Sequence, residues 1–199
     1  MINESGKNYS FTSLGRANQC LTLSGTLSYV QITGLKRLGT NSWPYTLAIW
    51  IYPTNVLGGT IVQLSSRTDG EYDGSSWTAP LIGFTSSGQI AINSWDRGDV
   101  PINGPTVPLL AWTHVAATYS LNNGERLYIN GTQYGSASDA FAFLASGVSM
   151  TITLGSSIAG TDTGATGTVL KGQYQGSLDE FRVYARELTA VEVAALANP

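Results

Sequence analysis

Short segments rich in Thr, Val, Ile and aromatic residues recur along almost the whole chain, and Gly, Asn, Asp and Pro separate them. Segments of this length and composition are typical of β-strands, and no helical pattern intervenes between them. The pattern predicts strands at 19–23, 29–32, 45–52, 60–65, 81–85, 89–93, 112–119, 125–130, 150–154 and 176–184. Many strands at this spacing indicate an all-β fold, in which two antiparallel sheets pack face to face as a β-sandwich or jelly roll.

One short helix is predicted at the C-terminal end of the sequence. Thr189 is a suitable N-cap for the segment LTAVEVAAL, and Glu192 follows three residues later, which completes a capping box. We expect this helix to cover an edge of the sandwich. The glycine-rich segment 156–172 carries almost no large apolar residue, so the sequence predicts a mobile surface loop there.

The composition excludes several classes of protein. Ser, Thr and Gly supply about a third of the 199 residues and charged residues only 12%, which is unlike a helix bundle. A net charge of −3 without a basic cluster argues against nucleic acid as a partner. No apolar run approaches the roughly 18 residues that cross a bilayer, so we expect no membrane insertion. Cys20 has no second cysteine to pair with, and we expect it to pack as a small apolar residue.

Two segments carry a family resemblance. The first, at 112–135, reads WTHVAATYSLNNGERLYINGTQYG and resembles the W-x-H-V-A-x-T-Y and L-Y-(V/I)-N-G core of laminin G-like domains in the concanavalin A-like lectin/glucanase superfamily. The second, at 172–196, resembles the closing strand and helix of that family. The resemblance implies a concanavalin A-like jelly roll at 16–199 after an N-terminal extension at 1–15. It also implies an extracellular or cell-surface location, and we expect the chain to be a module of a larger protein.

Alternation assigns side chains to the two faces of the predicted strands. The segment 112–119 is apolar on both faces, which predicts a strand covered on each side. His114 lies within it as the single histidine of the chain, and we expect a hydrogen-bonded structural residue rather than a catalytic or metal-binding one. Glu180 and Arg182 should form an ion pair on the closing strand. Strict alternation there separates Phe181 and Val183 from Leu178, Glu180, Arg182 and Tyr184.

A glycosidase is the enzyme class to test, because the superfamily that the chain resembles includes glucanases. A retaining glycosidase needs two carboxyl groups about 5–5.5 Å apart, which a strand can supply with acidic residues at positions i and i+4. Glu71 and Asp73 begin such a motif, but Ser75 and Ser76 stand where the second glutamate should be. A general acid and a nucleophile cannot both be supplied, so the sequence predicts a protein that is not an enzyme.

Carbohydrate binding is the function that the polar loops favour. Sugars are held by aromatic rings that stack on their C–H faces and by planar polar side chains. The loops at 65–80 and 93–105 carry such residues, and the hairpin between them should bring both loops to the same end of a sheet. The candidate ligand-binding residues are Arg67, Asp69, Tyr72, Asp73, Trp77, Trp95, Asp96 and Arg97.

Each tryptophan also has a structural interpretation. The alternative for Trp77 and Trp95 is that both fold inward as loop anchors. Trp43, Trp50 and Trp112 lie in or beside predicted core strands, and we expect them to be packing residues.

The family resemblance also implies a calcium ion, which a carboxylate of the closing strand and oxygens of an early loop would bind. Asp179 matches the aspartate of the family's G-x-I-D-E motif. Ser24 is the second candidate metal ligand, although Ser24 and Ser28 occupy positions where acidic residues are common in the family. The alternative is that Asp179 accepts only backbone hydrogen bonds.

Two short motifs suggest further functions. Arg97-Gly98-Asp99 is the tripeptide by which adhesion proteins engage integrins. Glycosylation sequons occur at Asn3, Asn8 and Asn130, of which Asn130 lies in a predicted turn.

The sequence as a whole predicts a non-catalytic binding module for glycans. The alternatives are a protein–protein adhesion or spacer domain without a small ligand, and a remnant of a glycoside hydrolase.

Overall fold

Two antiparallel sheets form the protein, which the computed structural model describes over residues 9–25, 28–158 and 168–198. The seven-stranded sheet contains, in spatial order, β1 (Tyr9–Thr12), β2 (Cys20–Leu23), β13 (Gly176–Tyr184), β4 (Tyr45–Pro53), β9 (Thr113–Ser120), β10 (Gly124–Ile129) and β11 (Thr132–Tyr134). The six-stranded sheet contains β3 (Val30–Leu35), β12 (Met150–Leu154), β5 (Thr60–Ser65), β6 (Thr78–Phe84), β7 (Gln89–Ile92) and β8 (Ile102–Thr106). A 3₁₀ turn spans Arg37–Gly39, and helix α1 spans Ala190–Leu196. The predicted all-β sandwich with a short C-terminal helix is confirmed.

Three strands are present that the sequence did not predict: β1, β8 and β11. All three are edge strands with exposed residues, so they lack the apolar alternation of the inner strands. Strand β8 even contains Pro105, which an edge position tolerates because one side of the strand needs no ladder hydrogen bond.

Strand β1 lies within the predicted N-terminal extension and pairs with β2 over all four of its residues. Residues 9–12 are therefore part of the sheet, while the domain boundary between 15 and 16 stays a prediction.

Asn3, Asn8 and the centre of the predicted loop at 156–172 lie outside the described residues.

The main core lies between the two sheets. On β4, Leu47, Ile49 and Ile51 are fully buried and face the other sheet. Burying a side chain of this size stabilises the fold by about 1.5–3 kcal/mol. Cys20 is also buried, as expected for a packed small residue.

A second, smaller core covers part of the outer face of the seven-stranded sheet. Ala48 of β4 and Ala116 of β9 are directly paired there, and Leu188 and Val193 pack over them. The two alanines are small enough to let α1 approach the sheet, which explains why 112–119 is apolar on both faces. The predicted capping box of α1 is present, with Thr189 accepting from the Glu192 backbone N–H.

A β-bulge interrupts β13, and it corrects one sequence prediction. The register with β4 shifts between Asp179 and Arg182, and Glu180 adopts a positive φ of 49°. The extra residue reverses which face of the sheet the even-numbered and odd-numbered side chains point to. Leu178, before the bulge, therefore faces the main core together with Val183, after it. The predicted placement of Leu178 on the face of Glu180 is therefore wrong. The ion pair between Glu180 and Arg182 is confirmed.

A carboxylic acid lies inside the sandwich. Glu125 is fully buried, and its Oε1 lies 3.2 Å from the Tyr45 hydroxyl, which is also 3.1 Å from Ser94 Oγ. Glu125 Oε2 has no hydrogen-bond partner among the described residues. Burial raises the pKa of Glu125 from 4.5 to about 8, so the side chain is protonated at neutral pH.

We predict that the stability of the protein falls between pH 5 and pH 8 because of Glu125. The folded state holds this proton up to about pH 8, whereas the unfolded chain releases it near pH 4.5, so raising the pH favours unfolding. Replacing Glu125 by Gln removes the titration. Urea denaturation at pH 5 and pH 8 should show that the free energy of unfolding of the wild type falls, relative to that of E125Q, by on the order of a few kcal/mol between these two pH values. An identical pH slope in the two proteins would contradict this prediction. Any other group that titrates in this range is present in both proteins, so its contribution cancels in the comparison.

Candidate functional site

The two polar loops emerge at the same end of the six-stranded sheet, as predicted. One loop joins β5 to β6 and the other joins β7 to β8, and these four strands are neighbours in antiparallel order. Ser66 and Trp77 close the base of the first loop, since the Ser66 N–H donates to the Trp77 carbonyl at 2.7 Å and the Trp77 N–H donates to Ser66 Oγ at 2.8 Å. We call these two loops the rim loops.

One arginine of the first rim loop pairs with two of its carboxylates. Arg67 donates from Nε to Asp69 Oδ1 at 2.8 Å and from Nη1 to Asp73 Oδ2 at 2.8 Å. The hydrogen bonds from Arg67 lower the pKa of Asp69 to about 2. Hydrogen bonds from the Ser75 backbone and hydroxyl hold the pKa of Asp73 well below its usual range. A carboxyl held in the ionised form cannot act as a general acid, so Asp73 is unsuited to that one of the two glycosidase roles.

The aromatic residues of the rim loops do not form a common platform. Trp77 packs against the main core, and its ring lies perpendicular to that of Phe143 with centroids 5.9 Å apart. Trp95 is half-buried, and its carbonyl accepts the Leu144 N–H at 2.9 Å. Tyr72 alone of the three is largely exposed, at 46%. The contacts of Trp77 favour its interpretation as a loop anchor, while the rim site stays a prediction.

The second rim loop folds back on itself. The Asp96 N–H donates to the Gly98 carbonyl at 2.9 Å, and Arg97 is exposed with a φ of 57°. Asp99 Oδ1 accepts from Asn93 Nδ2 at 2.8 Å, and burial raises the pKa of Asp99. The aspartate of the Arg-Gly-Asp tripeptide is thus used inside the protein, which does not favour its display to an integrin.

A groove that the sequence analysis missed lies on the outer face of the seven-stranded sheet. It has a volume of about 360 Å³ and its floor carries Tyr52 and Trp112, whose ring centroids are 5.3 Å apart. Both rings are half-buried. We call this the outer-face groove, and its lining residues are Thr12, Leu14, Thr22, Tyr52, Trp112 and Ser177.

Alternation along β4 explains why the groove forms. Leu47, Ile49 and Ile51 point into the main core, so Tyr52 must point outward. The Trp112 indole N–H donates to the Leu14 carbonyl at 3.2 Å, which fixes the second ring. The prediction that Trp112 is a packing residue is therefore incomplete, because its half-buried ring also lines a cavity. The alternation along β4, which places Tyr52 on the outer face, was the signal in the sequence that could have revealed the groove.

Hydroxyl groups surround the two rings. Thr22 Oγ1 lies 2.8 Å from Ser177 Oγ, and Thr12 Oγ1 lies 3.1 Å from Cys20 Sγ. Hydroxyls both donate and accept hydrogen bonds, and they rotate to suit a partner. The groove thus combines two aromatic rings, tilted by 54° to each other, with the hydroxyls of Thr12, Thr22 and Ser177 and the apolar side chain of Leu14.

Next to the groove, Trp50 and His114 are buried as a pair. Their rings are 5.3 Å apart, and the Arg16 guanidinium lies over the Trp50 ring at 4.8 Å. Burial, with a smaller contribution from Arg182, lowers the pKa of His114 to about 4. His114 is therefore neutral at physiological pH, and the packing role of Trp50 is confirmed by its burial against His114. The Asn130 side chain accepts the His114 backbone N–H at 2.9 Å, so it stabilises the turn.

Asp179 holds the segment at 13–18 against the sheet. Its Oδ2 accepts the Ala17 N–H at 2.9 Å, and its Oδ1 accepts the Glu180 N–H at 2.8 Å. Among the described residues, no group of three His, Cys, Asp or Glu side chains could hold a metal ion. These contacts fit the backbone-acceptor alternative better than a calcium centre, and calcium at Asp179 and Ser24 stays a prediction.

We predict that Asp179→Asn destabilises the protein by about 1–3 kcal/mol, because an amide N–H₂ would face one of the two backbone donors. Urea denaturation in EDTA should show this loss, and added calcium should not change it. The exposed Asp139→Asn is the matched control and should leave stability unchanged. A loss that occurs only in calcium would instead make Asp179 a metal ligand.

Comparison with known proteins agrees with this architecture. A laminin G-type family model, described as the concanavalin A-like lectin/glucanases superfamily, matches residues 24–194. The chain belongs to this family. No curated protein matches the chain in sequence.

Solved structures share the fold of this laminin G-like domain at low identity. Domain 4 of an extracellular arabinanase from Geobacillus stearothermophilus, in complex with arabinotriose, is 18% identical with a TM-score of 0.61, over 97% of this chain and 82% of that one. A SAP-like pentraxin from Limulus polyphemus is 18% identical with a TM-score of 0.59, over 96% and 81%.

The binding domain of botulinum neurotoxin serotype G is 16% identical with a TM-score of 0.64, and 98% of this chain covers 47% of it. This chain thus spans about half of the toxin domain.

Among the described residues, no helix is long and apolar enough to span a bilayer.

Proposed function

We propose that this laminin G-like domain is a non-catalytic carbohydrate-binding module that holds a neutral sugar in the outer-face groove. The observation that carries the proposal is the pair of half-buried rings of Tyr52 and Trp112 on the floor of the groove. Aromatic rings stack on the C–H face of a sugar, and the fixed Trp112 ring loses little freedom when it does so.

The chemistry of the walls supports a neutral ligand. The lining residues of the groove include no charged side chain. The hydroxyls of Thr22 and Ser177 can exchange their mutual hydrogen bond for hydrogen bonds to sugar hydroxyls. A charged sugar would find no counter-charge among these lining residues.

The same lining residues support a role without catalysis. Glycoside hydrolysis needs two carboxyl groups at the bond to be cleaved, and none of the residues that line the groove is Asp or Glu. Glu71 and Asp73, which begin the candidate motif, lie on a rim loop instead. Asp73 is held there by Arg67, Ser75 and Ser76.

The likeness to domain 4 of the arabinanase supports the class of ligand and the setting. That domain was solved with arabinotriose, a neutral trisaccharide, and belongs to an extracellular enzyme. By this likeness, we propose that the chain is a module of a larger extracellular or cell-surface protein.

The experiment that tests the proposal is a neutral-glycan array followed by isothermal titration with the best ligand. Tyr52→Ala and Trp112→Ala should each weaken binding at least tenfold, since each removes a stacking surface. Thermal unfolding followed by circular dichroism checks that each variant folds, which matters for Trp112 because its hydrogen bond to Leu14 is also lost.

Tyr72→Ala is the matched control, because it removes the same side chain from a rim loop. Its affinity should equal that of the wild type. Loss of binding in Tyr72→Ala with retention in Tyr52→Ala would place the site at the rim loops, and an array without any neutral-glycan signal would contradict the proposal.

A protein partner is the second candidate, because two exposed leucines lie beside the groove. Leu14 is 78% exposed and Leu110 is 63% exposed, and the Leu110 N–H donates to the carbonyl of Pro53 next to Tyr52. Clustered apolar exposure is a common feature of protein interaction surfaces.

A further inference from the structure

A second cavity lies at the other end of β13 from the outer-face groove. Its volume is about 330 Å³, and the turn at 34–38 and the end of β13 with Ala185 line it. Strand β2 pairs only with Gly176–Leu178, so it does not cover the later part of β13. The cavity occupies this open edge, and the groove at Ser177 is separate from it.

Two cations line this cavity without a counter-charge. Lys36 and Arg37 are both exposed, and within the described part of the chain neither takes part in an ion pair. The lining residues include no Asp or Glu. In a protein with a net charge of −3, this is a local site of the opposite sign.

The arginine of the pair is already oriented. Its Cζ lies over the Trp43 ring, 3.8 Å from the centroid, in a cation–π contact that holds the guanidinium in place. The Trp43 indole N–H donates to the Ala185 carbonyl at 3.1 Å, which ties the ring to the wall of the cavity.

The turn that carries both cations is rigid. The Gly39 N–H and the Thr40 hydroxyl both donate to the Lys36 carbonyl, at 3.1 and 3.2 Å. Leu38 is buried in the main core at 3% exposure. Gly39 packs so closely against Val148 that a Cβ atom would lie 1.6 Å from the Val148 oxygen. A ligand would therefore meet donors whose backbone is fixed before binding.

We propose that this cavity binds an acidic sugar of the uronic acid type, with its carboxylate at Arg37 and Lys36. Charge-assisted hydrogen bonds from a guanidinium to a carboxylate are stronger than neutral ones and can be bidentate. The apolar side chains of Leu35 and Val183 provide a wall for the C–H face of the sugar, which a bare inorganic anion would not use. The ligand class rests on the proposed carbohydrate-binding function, whereas the site rests on this cavity alone.

The test is isothermal titration at low salt with trigalacturonic acid and with its neutral methyl ester. The wild type should bind the acid at least tenfold more tightly than the ester, and the double variant K36Q/R37Q should lose at least tenfold in affinity for the acid. Arg97→Gln is the matched control, because it removes from a rim loop an exposed arginine that forms no ion pair with any other described residue. It should bind as the wild type does.

Several results would overturn the proposal: no binding of the acid by the wild type, equal affinity for acid and ester, an equal loss in R97Q, or inorganic sulfate that binds as tightly as the acid. Tyr52→Ala should leave binding of the acid unchanged, and K36Q/R37Q should leave binding of neutral glycans unchanged. These cross-checks separate a failure of this site from a failure of the outer-face groove.

Discussion

The outer face of the seven-stranded sheet is covered in steps, and this graded cover leaves one part of the face open. Ala48 pairs with Ala116 across β4 and β9, and α1 packs over both. Two residues further along each strand, Trp50 pairs with His114 under the segment that carries Arg16. Each such step moves about 7 Å along the sheet. The next step brings Tyr52 beside Trp112, whose indole N–H donates to the Leu14 carbonyl, and there the face opens into the groove.

The chemistry of each step follows from its cover. Beneath the helix, small apolar side chains suffice because backbone packing fills the space. At the middle step, burial keeps His114 neutral and deprives it of any role as a proton carrier at physiological pH. At the open step the same kind of aromatic side chain is half-buried, so it can exchange water for a ligand. One alternating pattern thus produces a structural core and an open aromatic groove on the same two strands.

Local patterns in the sequence predicted the fold well, because strand spacing, turn residues and the capping box of α1 depend on neighbours in the chain. The candidate site was harder to predict, because whether a side chain is covered depends on segments that lie far away in the sequence. Alternation places Tyr52 outward, but only the positions of α1 and the segment at 13–18 show that it remains accessible. Trp77 looks like an exposed loop residue until Phe143, far along the chain, is seen against its ring. The bulge at Glu180 likewise breaks an alternation that looked regular.

The most direct test of this account follows the five tryptophan indole N–H signals by ¹⁵N NMR while a neutral glycan that binds is added. If the outer-face groove holds the glycan, the Trp112 signal should shift, since its ring lies on the groove floor, and the signal of Trp77, which packs against the main core, should stay in place. Shifts of Trp77 and Trp95 with an unchanged Trp112 signal would contradict it.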